Sequence, residues 1–366
     1  LRDPLRSDEN PRSTGHHTKD GATVNPGIGD VARAAGVSTA SVSRALRGLP
    51  GVTDTTRARV LEAAHALGYV ASPSAASLAS GRMRTVGILT PWVDHWFHAG
   101  VIEGAERALR RLGFDALLHT FDVERGRPRR ALDAVALHRR VDGILVVGVA
   151  LGPDEIVAIE DVGVPVVYVG SGAPGGVLVR IDDEATARTA TAHLLGLGHR
   201  VVGHLAASWD DGLPDDVRQA APAWRRLRGW REALLEAGLD AGEDLVVTGP
   251  DGVAGGRAST ATLLDSRPDV TAVFAATDEL AMGAVLVARD RGLQVPGDLS
   301  VIGVDGHPLG ELVGLTTMAQ PAVEQGSAAA RALLDVVVGL PVDHDIVFPT
   351  RLVTRGSTAA PRSAAR

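Results

Sequence analysis

Apolar positions in residues 26–70 recur at helical spacing in three short bursts. Ile28, Val31, Ala32 and Ala35 fall at i, i+3, i+4 and i+7 and predict a helix over 28–35. Gly36 ends it, because glycine takes the positive-φ position of a tight turn cheaply. Ser38 is a suitable N-cap for a second helix over 39–46, with Val42, Ala45 and Leu46 turned inward. Thr53 caps a third, over 54–67, whose apolar stripe is Val60, Leu61, Ala64 and Leu67. Three helices this short bury little surface, so the unit is expected to be only marginally stable alone.

From Thr85 the rhythm changes to strand, helix, strand. Short apolar runs at 86–90, 114–118, 143–149 and 164–169 predict strands, and 177–181 reads as a further extended segment. Amphipathic stretches at 100–112, 128–140 and 155–162 predict helices between them. The alternation restarts after a long helix over 185–197. Strands follow at 201–206, 245–248, 270–275 and 299–304, with helices at 223–237, 256–264 and 278–291. Such alternation predicts an α/β fold: two doubly wound lobes with parallel sheets and helices on both faces. Ligands of such sheets sit outside the carboxyl ends of the strands, which here means the cleft between two facing lobes.

The expected organisation is a disordered tail over 1–25, a helix-turn-helix domain over 26–71 and a linker with a short hinge helix over 72–84. A two-lobed ligand-binding domain over 85–355 and a disordered tail over 356–366 complete it. The tail at 1–25 is polar and aperiodic, and its His16-His17 pair reads as solvated rather than metal-binding. A linker helix of one or two turns is unstable in isolation and is expected to order only against a partner.

Composition narrows the function. The 366 residues are 45% hydrophobic and 22% charged, ordinary for a soluble globular protein, and only 3% aromatic, so Ala, Val, Leu and Ile must build the core. There is no cysteine, which excludes disulfides and thiolate zinc sites. An unbroken apolar run long enough to span a membrane is missing, as is a secretory h-region, and a cytoplasmic location is expected. The formal net charge of −7 is unevenly spread. Residues 1–84 hold 11 Lys and Arg against 7 Asp and Glu, a surplus of four positive charges, and the rest of the chain carries eleven net negative charges. A basic end on an acidic body suits a protein that holds DNA with one end only. The break between the first two predicted helices, followed by small hydroxyl residues and Arg44, is the arrangement of a helix-turn-helix, which lays its second helix in the major groove.

Enzyme motifs are poorly represented. Gly170-Ser171-Gly172-Ala173-Pro174-Gly175 satisfies the dinucleotide fingerprint and follows a predicted strand. Pro174 interrupts it, no helix follows, and Asp182, Asp183 and Glu184 come too early for a ribose contact, so it reads as a turn. P-loop, zincin and nucleophile-elbow motifs are missing, and nothing in the chain demands a catalytic mechanism. His199 is expected to cap the end of the preceding helix. No cofactor is expected.

The chain resembles the LacI/GalR family of bacterial transcription regulators over nearly its whole length after residue 26. The resemblance is carried by Asp30-Val31-Ala32, Ala35-Gly36-Val37-Ser38, Val42-Ser43-Arg44-Ala45-Leu46, Val52-Thr53 and Leu67-Gly68-Tyr69. Arg226-Leu227-Arg228-Gly229-Trp230, Val295-Pro296-Gly297-Asp298 and Leu315-Thr316-Thr317 with Gln320-Pro321 extend it. It implies a homodimer that presents two recognition helices to a pseudo-palindromic operator. By position, Thr39, Ala40 and Arg44 would face base edges, while Ser38, Ser43 and Arg57 would hold phosphates. Leu78 matches the linker leucine that wedges into the minor groove, although Ala71-Ser72-Pro73 departs from the family's usual Pro-Asn start.

The resemblance also implies a small-molecule effector, a sugar or a derivative, bound between the lobes by Trp96, Phe97, Asp183, Arg226, Thr277 and Asp305. Departures fall in the same region. Thr277 replaces a common asparagine, Gly306 replaces a second acid after Asp305, and Gly170 lacks an acid found in some members. A sequence-specific repressor controlled by that ligand is the expected function. A transporter's sugar-binding protein and a sugar- or nucleoside-acting enzyme are the alternatives with the same cleft.

Overall fold

The computed structural model describes residues 26–69, 82–121, 134–173, 175–207 and 213–362. The chain forms two compact units, residues 1–81 and residues 82–366.

The first unit contains α1 (Ile28–Ala35), α2 (Thr39–Leu46) and α3 (Asp54–Ala66). Local capping explains each boundary. The Asp30 carboxylate accepts from the Gly27 N–H, Gly36 adopts φ 62°, and Val37 N–H closes back on Ala32 O. Ser38 Oγ accepts from Ser41 N–H at the start of α2, and Thr53 Oγ1 accepts from Thr56 N–H at the start of α3. Val31, Val42 and Val60 are fully buried, one from each helix, and alanines 32, 35, 45 and 64 fill the space between them. The expected stripe on α3 is only half correct. Val60 and Ala64 are buried, but Leu61 and Leu67 are 50% and 39% exposed and stand outside the core of valines and alanines.

The second unit opens with β1 (Thr85–Thr90), α4 (Trp96–Arg111), β2 (Asp115–Thr120), β3 (Gly143–Val147), α5 (Pro153–Glu160), β4 (Val166–Val169) and β5 (Val177–Ile181). It continues with α6 (Asp183–Gly196), β6 (Val202–Ala207), α7 (Asp215–Ala220), α8 (Pro222–Glu236), β7 (Val246–Gly249), α9 (Gly252–Ser266), β8 (Ala272–Ala275), α10 (Asp278–Asp290), β9 (Ser300–Asp305) and β10 (Thr316–Ala319). It closes with α11 (Ala322–Val337), β11 (Asp345–Phe348) and β12 (Arg351–Val353).

These strands form two six-stranded sheets, ordered β11-β5-β4-β3-β1-β2 and β12-β10-β9-β8-β6-β7. All pairings are parallel except β10 with β12. Central strands such as β3, Gly-Ile-Leu-Val-Val, are buried on both faces, as helices covering both sides of a parallel sheet require. Edge strand β2 alternates exposed and half-buried positions.

The lobes are not consecutive stretches of chain. After β10 the chain returns to the first lobe, where α11 packs beside α4 and β11 adds to the sheet edge next to β5. It then crosses once more, so that β12 pairs with β10 in the second lobe. The strand-helix rhythm alone indicated two lobes but not this exchange.

Other expectations need correction. Of the helix expected over 128–140, residues 128–133 lie outside the described residues. Ala134–Leu137 form a single 3-10 turn, and Arg139 sits at φ 57°, which ends any helix there. The linker's last residues, 82–84, are not helical, and the Asp142 carboxylate holds the backbone N–H groups of Met83 and Arg84 against the first lobe. The expected tail at 356–366 is packed as far as residue 362. Ser357 is fully buried, accepts from Thr316 N–H and donates to Val301 O, while Ala359 bonds Ser300 Oγ and His199. His199 therefore does not use its side chain as a helix cap. Its ring spans Thr271 Oγ1 and Ala359 O, pinning this segment to the second sheet.

Candidate recognition helix and interlobe cleft

In the first unit, α2 turns Val42 and Ala45 into the core and leaves Ser38, Thr39, Ala40 and Arg44 exposed along its other side. The period of 3.6 residues makes that division unavoidable once two inward positions are fixed. The Arg44 carbonyl accepts from Leu49 N–H, while its side chain makes no hydrogen bond or ion pair among the described residues, so the guanidinium fork is available. Ser43 is half-buried, and its carbonyl accepts from Arg47 Nε. Ser38 is occupied in part by capping and by a hydrogen bond to Ser41 Oγ.

Arg57 has partners within the headpiece. Its Nη1 donates to Ala45 O at 2.9 Å and its Nη2 to Leu49 O at 3.0 Å. The guanidinium thus ties α3 to the end of α2 and the loop beyond it, a bracing role that spacing along the sequence does not reveal. Leu78 lies outside the described residues.

In the second unit, one cleft is lined by Trp96, Phe97, Asp183, Arg226, Thr277 and Asp305, the six residues expected there, together with Trp92, His95, His98, Asp251, Glu279, Gln320 and Gln325. The first lobe supplies an aromatic wall. Trp96 and Phe97 begin α4, Trp92 stacks on His95 with ring centroids 5.2 Å apart, and His98 lies edge-on to Phe97. The second lobe supplies the polar wall, from strand ends and helix starts. Asp183 opens α6, Asp251 and Thr277 cap α9 and α10, and Asp305 ends β9.

Hydrogen bonds fix these groups. Arg226 Nε meets Asp183 Oδ1 at 2.8 Å, and Arg226 Nη1 donates to Ala276 O. Thr277 Oγ1 donates to Asp251 Oδ1 at 3.0 Å while accepting from Leu280 N–H. Gln320 Nε2 donates to Asp305 Oδ1 at 2.7 Å, and Gln325 Nε2 donates to Gln320 Oε1 at 3.0 Å. The buried Asp278 accepts from the N–H groups of Gly306 and His307, holding Asp305 at φ 138° and Gly306 at φ 79°. Gly306 is thereby explained. Any side chain there would be strained and would place its Cβ 2.8 Å from that of Ala319.

The electrostatics follow from burial. Burial pushes Asp305 well above the usual carboxylate range, and nearby Arg226 only partly offsets it. Burial likewise raises Asp278 to about 6, against the hydrogen bonds that favour its charge. Burial also opposes the charge on Arg226, but the carboxylates of Asp183 and Asp305 outweigh it and hold its pKa above the ordinary value. His98 is held neutral, lowered to about 4 by burial, with Nε2 against Gly148 O. Gln325 Oε1 and His98 Nδ1 are buried acceptors or donors without a partner among the described residues. An aromatic face opposite fixed carboxylate, amide and guanidinium groups is the chemistry that holds a small polyhydroxylated ring. No nucleophile-base pair was expected here, and the additional residues Trp92, His95, Asp251 and Glu279 sit in a loop, at two helix caps and in the first turn of α10, positions that carry no periodic signal.

Comparison with known proteins agrees with this architecture. Residues 27–72 match the model for bacterial regulatory proteins of the lacI family, and residues 191–358 match a periplasmic binding protein-like domain. Catabolite control protein A of Priestia megaterium is 32% identical over 340 residues, covering 92% of this chain and 100% of that protein. The HTH-type transcriptional regulator MalR of Streptomyces coelicolor is 34% identical over 348 residues, covering 91% and 96%. Among solved structures, a transcriptional regulator CelR–cellobiose complex is 32% identical with a TM-score of 0.66, covering 91% of this chain and 99% of that one. The lac repressor dimer bound to operator and the anti-inducer ONPF shares the fold at a TM-score of 0.79 and 24% identity, covering 92% and 100%. A DNA-reading headpiece joined to a two-lobed ligand-binding fold, matched along nine-tenths of its length by such regulators, makes this chain a member of the lacI family of bacterial DNA-binding transcriptional regulators.

Proposed function

We propose that the protein is a cytoplasmic, homodimeric repressor whose affinity for a pseudo-palindromic operator is set by a sugar or sugar derivative bound between the lobes. The observation that carries this reading is the cleft itself. It opposes the aromatic wall of Trp96 and Phe97 to the polar groups of Asp183, Arg226, Thr277 and Asp305, in a chain that also bears an exposed recognition helix. The cellobiose bound by the CelR regulator supports a sugar, and the operator-bound lac repressor dimer supports the assembly.

On the DNA side, Arg44 forks onto a guanine edge while Thr39 and Ala40 offer a hydroxyl and methyls. Ser38 and Ser43 set the register on phosphates, and Leu78 wedges between base steps at the operator centre. On the ligand side, Arg226 and Asp305 take hydroxyl groups and Trp96 and Phe97 stack on the ring. Binding changes the angle between lobes, and DNA affinity changes with it. The coupling is reciprocal, so operator DNA must weaken inducer binding by the same factor, typically about 5–150-fold.

Selection of bound DNA from a random pool at moderate salt tests the first half. A palindrome with fixed half-site spacing is the expected result, and failure to enrich any sequence removes the proposal. The selected operator then serves a titration with cellobiose and related sugars. Equal sugar affinity with and without operator would remove the allosteric part.

A further inference from the structure

At the rim of the cleft, His95 from the first lobe stands against Asp251 and Glu279 from the second. One ligand atom of each lies within 4.8 Å of the other two. His95 Nδ1 is 3.7 Å from Asp251 Oδ2, too long for a good hydrogen bond. We propose that His95, Asp251 and Glu279 form a binding site for a divalent transition-metal cation that bridges the two lobes. This goes beyond the sugar-controlled repressor and does not depend on it.

The three side chains are oriented in advance, each by a separate contact. Asp251 Oδ1 is engaged by Thr277 Oγ1 at 3.0 Å and Gly252 N–H at 2.8 Å, leaving Oδ2 toward His95. Glu279 Oε1 accepts a 3.4 Å contact from Trp96 N–H, which leaves its second oxygen for another partner. The His95 ring is held by Trp92, stacked within 8° of parallel. Such outer contacts are what orient first ligands in metal sites. The alternative for such a cluster is two carboxylates sharing one histidine without an ion. That alternative leaves His95 Nδ1 3.7 Å from Asp251 Oδ2, without a good hydrogen bond between them.

The donor set chooses the class of cation. One imidazole nitrogen with two carboxylates suits Zn2+, Co2+, Ni2+ or Mn2+, whereas Mg2+ and Ca2+ prefer all-oxygen shells. Ligand atoms around a tetrahedral ion with bonds of about 2.0–2.2 Å stand roughly 3.4 Å apart. The present spacing is therefore slightly open, and drawing the lobes together at the rim would complete the site. The cation would act on the same motion as the effector, through side chains that line the same cleft.

The test uses the full chain without an affinity tag, titrated with Co2+ as a spectroscopic stand-in for Zn2+. One Co2+ per chain with visible ligand-field absorption, displaced by Zn2+ and not by Mg2+, is expected. His95→Gln and Glu279→Gln should each weaken binding by about 10–100-fold or more. Their metal-free melting curves report whether they still fold. Replacing His16 and His17 by alanine should change nothing. Small-angle scattering should show a smaller radius of gyration with Zn2+ in the original chain and not in the variants. The proposal is overturned if no one-per-chain site is found, if both folded variants bind Co2+ like the original, or if binding follows His16 and His17.

Discussion

Arg226 and Asp183 form an ion pair inside the cleft wall, 2.8 Å between Nε and Oδ1, with both side chains under one-tenth exposed. The pair joins α8 to the first turn of α6, and a second donor of Arg226 holds Ala276 O at the end of β8. Arg226 is therefore not a free cation. In the proposed ligand contact it would act as a fixed fork already paired with a carboxylate, a geometry suited to neutral hydroxyls more than to phosphate. Asp183→Ala strands a buried guanidinium. It should lower the stability of the ligand-binding unit by about 3–5 kcal/mol in urea unfolding, whereas Asp183→Asn should cost less by keeping an acceptor. A loss within about 0.5 kcal/mol for Asp183→Ala would mean that the pair does not hold in solution.

Two arginines of the headpiece should separate cleanly. Arg44→Ala should leave the melting of the headpiece unchanged and reduce discrimination between selected and random DNA by about 1–3 kcal/mol. An equal loss on both DNAs would make it a phosphate contact. Arg57→Ala removes the bonds to Ala45 O and Leu49 O, so it should lower headpiece stability first and DNA binding only as a consequence. Amide hydrogen exchange at residues 45–49 reads the difference directly.

His204 gives the second lobe an acid sensitivity. It is fully buried between Trp230 and Phe274, its Nδ1 on Phe274 O, with Arg226 and Arg231 adding unfavourable charge. Burial holds its pKa at about 4, below its ordinary 6.5. The unfolded chain therefore binds a proton between those values that the folded chain refuses. Stability from this group is complete above pH 6.5 and falls as pH drops toward 4, by about 1.4 kcal/mol per unit. His204→Gln should flatten the melting temperature across that window. An unchanged acid slope would assign it to other groups.

His98 and Gly148 form a lock at the floor of the cleft. A Cβ on Gly148 would fall 2.1 Å from His98 Nε2, and the backbone there has φ 67°. Gly148→Ala should displace the imidazole, weaken any cleft ligand and lower the melting temperature of the ligand-binding unit. His98→Ala in the same chain should restore part of that loss, because it removes the clash and leaves only the backbone strain. No recovery in the double variant would place the cost entirely in the backbone.

Much of the architecture was legible because it rests on local rules. The caps Ser38 and Thr53, the turn at Gly36 and the alternation of strands and helices each act within a few residues. The six expected cleft residues gather in one place because strand ends and helix starts of an α/β fold converge there. The bracing bonds of Arg57 were not legible because its partners, Ala45 and Leu49, are backbone carbonyls that no side-chain pattern announces. The packed segment around Ser357 was missed for a related reason. It holds by hydrogen bonds to Thr316 and Val301, with no apolar period of its own. Asp251 and Glu279 fell outside the reading because carboxylates are common, and only the fold brings these two together.

The return of α11 and β11 to the first lobe sets an order of events during synthesis. Chains fold as they emerge, N-terminal parts first. The headpiece needs only neighbours within about forty residues, so it can form early. The first lobe lacks a strand and a covering helix until residues 322–348 have been made. A growing chain thus possesses its DNA-reading surface well before it possesses a complete ligand sensor. A chain cut before residue 322 would keep its headpiece and lack the helix and strand that complete the first lobe, and so the means of hearing its ligand.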